Sequence, residues 1–237
     1  MKYFAGNMSL LLWSIPGLAQ TPDSIAGLPD AEQIVERMQA ADTERSAKLE
    51  GYVAVRRYEL TNRRFHKSAL IVARLTYRSP GEKSFEVISE EGSKLLRDRV
   101  LKRVINTEED ASRGANRDLA RINLVNYAIK VVGTEMADGH TRYVLDLTPK
   151  SKSPYLIRGR AWIDASEYAL VRMEGVVAKK PSMWVGSPVV KQTYIKSGSF
   201  WLPEKNVSTT EAPIFGKTDL LIESSGYEIR EKVSTTP

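Results

Sequence analysis

The stretch Gly159–Gly175, GRAWIDASEYALVRMEG, alternates aromatic and aliphatic residues against charged ones on both sides of the polar break Ala165–Tyr168. Period two, a short turn and period two again is the signature of a strand and its returning partner, because successive strand side chains point to opposite faces. Gly198–Gly216, GSFWLPEKNVSTTEAPIFG, repeats the pattern. The same reading extends along most of the chain. GYVAVRRYEL sets Val53 and Val55 on one face of a strand, with Tyr52, Ala54 and Tyr58 on the other. In HKSALIVARLTYRS, residues Ala69, Ile71, Ala73, Leu75 and Tyr77 share a face. Ser79-Pro80-Gly81 predicts a turn, with Lys83–Ser89 returning from it and Gly92-Ser93 ending it. Val125–Glu135 and Thr141–Leu147 pair across Asp138-Gly139, a dipeptide suited to a hairpin. Leu156–Asp164 pairs with Leu170–Val177, and Val189–Lys196 with Phe200–Pro203 across Ser197-Gly198-Ser199. Asn206–Glu211 and Lys217–Ser224 flank the loop Ala212–Gly216, and Gly226–Arg230 adds a last strand.

Two segments switch to helical period. Asp30 is placed as an N-cap, with Gln33 completing a capping box, and Ile34, Val35, Met38 and Ala41 form an apolar stripe that fades over Thr43–Lys48. Over Leu96–Ser112, residues Leu96, Val100, Leu101, Val104 and Ile105 form a second stripe, with Glu108 and Glu109 largely off it. Gly114–Asp118 reads as a polar linker. The expected class is mainly β (α+β): an unclosed antiparallel β half-barrel with two helices packed over the concave face, because a meandering sheet twists and the helices must bury their stripes.

At 237 residues, 42% hydrophobic and 27% charged, the chain suits one domain with a sizeable core, expected over 30–237 after a mobile lead-in at 20–29. Its net charge of +6 comes from Lys and Arg spread along the whole length, which points to a solvated surface. No helix-turn-helix, zinc finger or RNA-binding signature accompanies that charge, so no nucleic acid partner is expected. MKYFAGNMSLLLWSIPGLAQ has the cation, short apolar run and small residues of a secretory leader, with cleavage expected after Ala19. There is no cysteine, hence no lipidated N-terminal cysteine, no thiolate metal site and no cysteine nucleophile.

Catalytic chemistry is sparse. His66 and His140 lack ligand-spaced partners, and Glu90-Glu91 and Glu108-Glu109-Asp110 read as solvated acidic clusters. Neither a G-x-S-x-G elbow nor a Gly-rich phosphate loop is present. The reading is therefore no enzyme, no catalytic residues, no metal and no cofactor. What remains is apolar surface. Val53, Val55, Ile71, Leu75 and Phe85 are cavity candidates from the first strands. Val87, Leu145, Ile163 and Met173 complete the set, and for any single one of the nine a place in a filled core under the helices is the better reading. Met183 and Trp184, in the loop Lys179–Pro188, and Phe215, in Ala212–Gly216, are rim candidates for a membrane interface, a partner's groove or a plug.

The helix Asp30–Ala41, the Ser79-Pro80-Gly81 hairpin and GRAWIDASEYALVRMEG together resemble the LolA/LolB-type superfamily of lipoprotein carriers. NYAIKVVGTEMADGHTRYVLDLTPK, the Trp184 loop and GSFWLPEKN resemble its branch of outer membrane lipoprotein-sorting proteins, so that the likeness spans roughly 30–230. The resemblance implies an exported, periplasmic carrier. It would hold lipid or lipoprotein acyl chains in the hollow, receive them from an inner-membrane donor and pass them to an outer-membrane acceptor, with peripheral membrane contact. It also implies a buried arginine that keeps the lid shut, for which Arg57 and Arg74 are the candidates. The alternative within the same resemblance is an RseB-like envelope sensor or adaptor that binds a membrane-protein partner.

Overall fold

The computed structural model describes residues 27–179, 187–213 and 216–232. Helix α1 (Ala31–Lys48) starts at Asp30, whose carboxylate accepts from the Gln33 N–H at 2.8 Å while the Gln33 side chain accepts from the Asp30 N–H, the predicted capping box. Three long strands follow: β1 (Leu49–Asn62), β2 (Lys67–Arg78) and β3 (Glu82–Gly92). The second helical segment is continuous but changes pitch. It runs from α2 (Lys94–Leu96) through a π-helical stretch (Arg97–Leu101) into α3 (Lys102–Ala111). Gly114–Leu119, expected as a linker, is a short helix α4. It is separate because Arg113 is extended, and it is tied down where Arg117 donates to the Pro80 carbonyl in the β2–β3 turn.

The remaining strands are β4 (Tyr127–Ala137), β5 (His140–Pro149), β6 (Ile157–Asp164), β7 (Leu170–Val177), β8 (Val189–Ser197), β9 (Phe200–Ala212) and β10 (Gly216–Glu231). They join one ten-stranded antiparallel sheet in the order β3-β2-β1-β10-β9-β8-β7-β6-β5-β4. The outermost strands β3 and β4 do not pair, so the barrel is open, as expected. Long-range pairing of β1 with β10 joins the two arms of the meander.

Two strands are longer than the sequence suggests. β9 runs through Pro203 because its pairing to β10 stops at Lys205↔Glu223, so the missing proline N–H is asked for on neither side. β10 runs through Gly226, whose positive φ of 62° accommodates the shift in β1–β10 register between Val53 and Val55. Gly159 and Gly175, the ends of the GRAWIDASEYALVRMEG motif, are direct cross-strand partners. A Cβ at Gly159 would stand 2.0 Å from the Glu174 carbonyl oxygen, and one at Gly175 2.2 Å from that of Arg158. Strands β6 and β7 therefore approach too closely there for any side chain.

Strand alternation gives the sheet an inner face, under the helices, and an outer one. On the inner face of β4–β6, Ile34 and Met38 of α1 pack with Tyr127, Leu145, Leu147, Leu156, Ala161 and Ile163. On the inner face of β1–β3 and β10, Leu101 and Ile105 pack with Tyr58, Leu60, Ile71, Ala73 and Ile222. A third cluster, with Tyr52, Ala54, Leu75, Phe200 and Leu202, links the arms. The outer face carries a small satellite of Val144, Trp162, Val171 and Trp201.

Candidate functional site

The inner face of β1 buries a charge among its apolar residues. In β1, Tyr52, Ala54, Tyr58 and Leu60 are buried, and Arg56, in register with them, is buried too at 5% exposure. Its Nη2 donates to Glu108 Oε2 of α3 at 2.9 Å, which ties the helix to the strand beneath. Glu108 accepts two further bonds, from Lys83 Nζ of β3 at 2.9 Å and from the Tyr58 hydroxyl at 3.3 Å. Burial alone would raise the Glu108 pKa, but the Lys83 and Arg56 charges and hydrogen bonds outweigh it and hold the carboxyl below its ordinary range. Burial likewise works against the Arg56 charge, and Glu108 restores it.

Aromatic rings surround this pair. The Tyr58 ring lies 5.9 Å from the Arg56 guanidinium carbon. Tyr52 stacks on Tyr77 at 4.8 Å and meets Tyr227 edge-on at 5.4 Å. Burial pushes the Tyr52 and Tyr58 hydroxyls well above their ordinary range and that of Tyr194 up to about 12, so all three stay neutral.

Helix α1 is fastened by other means. Arg37 donates to the Tyr168 hydroxyl at 2.8 Å, and Arg45 to the Glu167 carbonyl at 3.0 Å. Both acceptors sit in the β6–β7 turn, which Asp164 organises by accepting from the N–H groups of Ser166 and Glu167, each at 2.9 Å. The Glu167 carboxylate pairs with Lys196 and accepts from Trp201 Nε1. A groove of about 540 Å³ lies on the face away from the helices, where Trp162, Val189 and Val207 meet Arg160, Glu174 and Lys191. Arg56 does not line it. Among the described residues no three His, Asp or Glu side chains converge as a metal site, and no helix is long and apolar enough to cross a membrane.

The residues singled out from sequence fall into several groups. Ile71, Leu75, Leu145 and Ile163 lie on the inner face with no exposure, and Phe85 and Met173 pack half-buried beside them. Val53 and Val55 are on the outer face, Val55 at 40% exposure, because the tyrosine side of β1 is the one turned inward. Val87 is 45% exposed on the edge strand β3. Neither lid-arginine candidate is buried. Arg57 points outward to Glu59 at 2.6 Å and Arg74 is exposed, whereas Arg56 is the buried one. Glu108, expected in a solvated cluster, is its partner. Met183, Trp184 and Phe215 lie outside the described residues, as does the leader. Arg56 and Glu108 were missed because a charged residue ordinarily signals solvent. The available signal was register: Arg56 shares the parity of Tyr52, Ala54 and Tyr58.

No family model matches the chain, and no curated protein matches it. Solved structures do. A DUF1329 family protein from Desulfovibrio piger is 16% identical, covering 86% of this chain and 93% of that one at a TM-score of 0.39. A putative outer membrane lipoprotein-sorting protein domain from Vibrio parahaemolyticus is 12% identical, covering 85% and 93% at 0.41. A LolA superfamily protein from Nitrosomonas europaea is 16% identical, covering 86% and 95% at 0.36. TM-scores at or below 0.41 are too low to assign a shared function or site.

Proposed function

We propose that this protein is an exported carrier that takes the acyl chain of a lipid or lipoprotein into its half-barrel and hands it to an acceptor during outer-membrane biogenesis. The leader Met1–Ala19 would be removed on export to the periplasm, and no catalysis is involved.

The observation that carries this reading is the Arg56–Glu108 contact between α3 and the sheet. A buried ion pair is a poor way to hold two elements together permanently, since desolvation consumes much of its attraction and an apolar contact of equal volume often does as well or better. It is a good way to hold them conditionally. Beneath the helix lie Ile71 and Ala73, both without exposure and both able to receive hydrocarbon once α3 lifts. Each methylene buried there contributes about 0.8 kcal/mol, so one chain of ordinary length can offset the opening of the helix.

Native mass spectrometry of the chain from Gln20 onward, purified from an envelope fraction and then extracted for lipid, tests this. A mass excess that extracts as acyl lipid is the expected outcome. A clean apo mass with no uptake of added lipid or acylated peptide would overturn the carrier reading in favour of a protein-binding adaptor.

A further inference from the structure

We propose that the cargo is an amphiphile with an oxyanion head, a carboxylate or phosphate on an acyl chain, and that Arg56 receives that head. This rests on the carrier reading and names the chemistry of its ligand.

Of the three Arg56 nitrogens only Nη2 is bonded, to Glu108. Nε and Nη1 are buried and have no hydrogen-bond partner among the described residues. Buried donors are ordinarily satisfied, and those of a charged group most of all, because leaving them unpaired forfeits their hydration with nothing in return. A guanidinium is a planar fork of donors whose complement is a carboxylate or phosphate, bound through paired N–H···O contacts. The walls around it fit the rest of an amphiphile. Tyr52, Tyr58 and Tyr227 offer apolar ring surface next to the charge, and Leu75, Phe85 and Leu202 continue the apolar surface beyond them.

The charge arithmetic also closes. An entering oxyanion and Glu108 compete for one cation. Glu108 can give up Arg56 and stay paired, because Lys83 holds its other oxygen at 2.9 Å and the Lys83 side chain, 20% exposed, lies near solvent on β3. Loading then exchanges one anion for another on Arg56, buries no additional net charge at that site, and releases Glu108 from β1, leaving the partly exposed Lys83 as its counter-ion. A neutral ester offers no such exchange.

The test titrates delipidated full-length mature protein at pH 7.5 with oleate, oleoyl lysophosphatidate and methyl oleate. Wild type is expected to bind the two acids ~10-fold or more tighter than the ester, the worth of a charged hydrogen bond. In Arg56→Met the acids lose that advantage while ester affinity is retained. In Glu108→Gln, which removes the competing carboxylate, the acid-to-ester ratio rises. If Arg56→Met does not fold, the wild-type and Glu108→Gln ratios decide alone. A preference for one acid over the other assigns the head as carboxylate or phosphate. Equal affinity for all three probes overturns the oxyanion head and leaves the carrier standing. A preference that survives Arg56→Met overturns the role of Arg56, and no binding of any probe overturns the carrier itself.

Discussion

Over β4–β6, α1 meets the sheet through Ile34 and Met38 among wholly buried aliphatic side chains, and its polar bonds, from Arg37 and Arg45, lie at the rim. Over β1–β3, α3 meets it through Leu101 and Ile105 and then drives a carboxylate onto a buried arginine. The α1 contact offers no buried charge for which an entering ion could compete. The ionic one does, because either partner can find another counter-charge. On the carrier reading proposed above, α1 belongs to the core and α2–α3 is the half that releases.

Four measurements bear on that contrast. The largest effect is expected from Glu108→Ala, which leaves Arg56 buried without a counter-ion and Lys83 without its partner. Losses of about 3–5 kcal/mol are usual for that change, and urea unfolding should register it, with hydrogen exchange in α3 accelerated beyond that in α1. Ile34→Ala comes next at about 2–5 kcal/mol for a buried large-to-small change. Here β4–β6 and α1 should lose exchange protection together, and a loss confined to α1 would make that helix a second lid.

The double variant Arg56→Met/Glu108→Leu replaces the ionic contact by an apolar one. Its stability should stay within about 1 kcal/mol of wild type or rise, while α3 exchanges more slowly and lipid uptake falls. Undiminished uptake would break the link between the pair and release. The smallest effect is with pH. Glu108 has a depressed folded pKa, so its contribution is complete above the ordinary carboxylate range and is lost as pH falls through the folded value. Wild type should therefore lose stability relative to Glu108→Gln below about pH 4, where an unfolded Glu begins to take up protons. Parallel pH profiles for the two proteins would remove Glu108 from the acid response.

Much of this contrast was legible in the residues. The capping box at Asp30, the apolar stripes of both helices and the Asp138-Gly139 and Ala165–Tyr168 turns are local signals, and each has its place in the structure. So is the alternation in β1, which separates Val53 and Val55 from Tyr52 and Tyr58 but does not say which side faces in. That choice depends on what lies across the barrel. Tyr227 and Phe85, far away in sequence, supply ring partners to the tyrosine side. Pro203 and Gly226 look like strand ends because they are breakers locally, and only the register of neighbouring strands makes them harmless. Arg56 and Glu108 were obscured for the same reason: a charge is costly to bury alone, and Arg56 is buried because Glu108, itself only partly exposed, reaches it.

The π-helical stretch Arg97–Leu101 has a consequence for how this half of the molecule tolerates change. A π turn amounts to one residue inserted into an α-helix. Everything after it keeps its phase only while that residue remains. Deleting a single position there would restore an ordinary helix and turn the following segment by about 100° around its axis. Ile105 would leave the apolar sheet and Glu108 would swing away from Arg56, although neither had been altered. The Arg56–Glu108 contact is thus inherited as a spacing as well as a pair of side chains, and a one-residue deletion in this turn should be as damaging as the loss of Glu108.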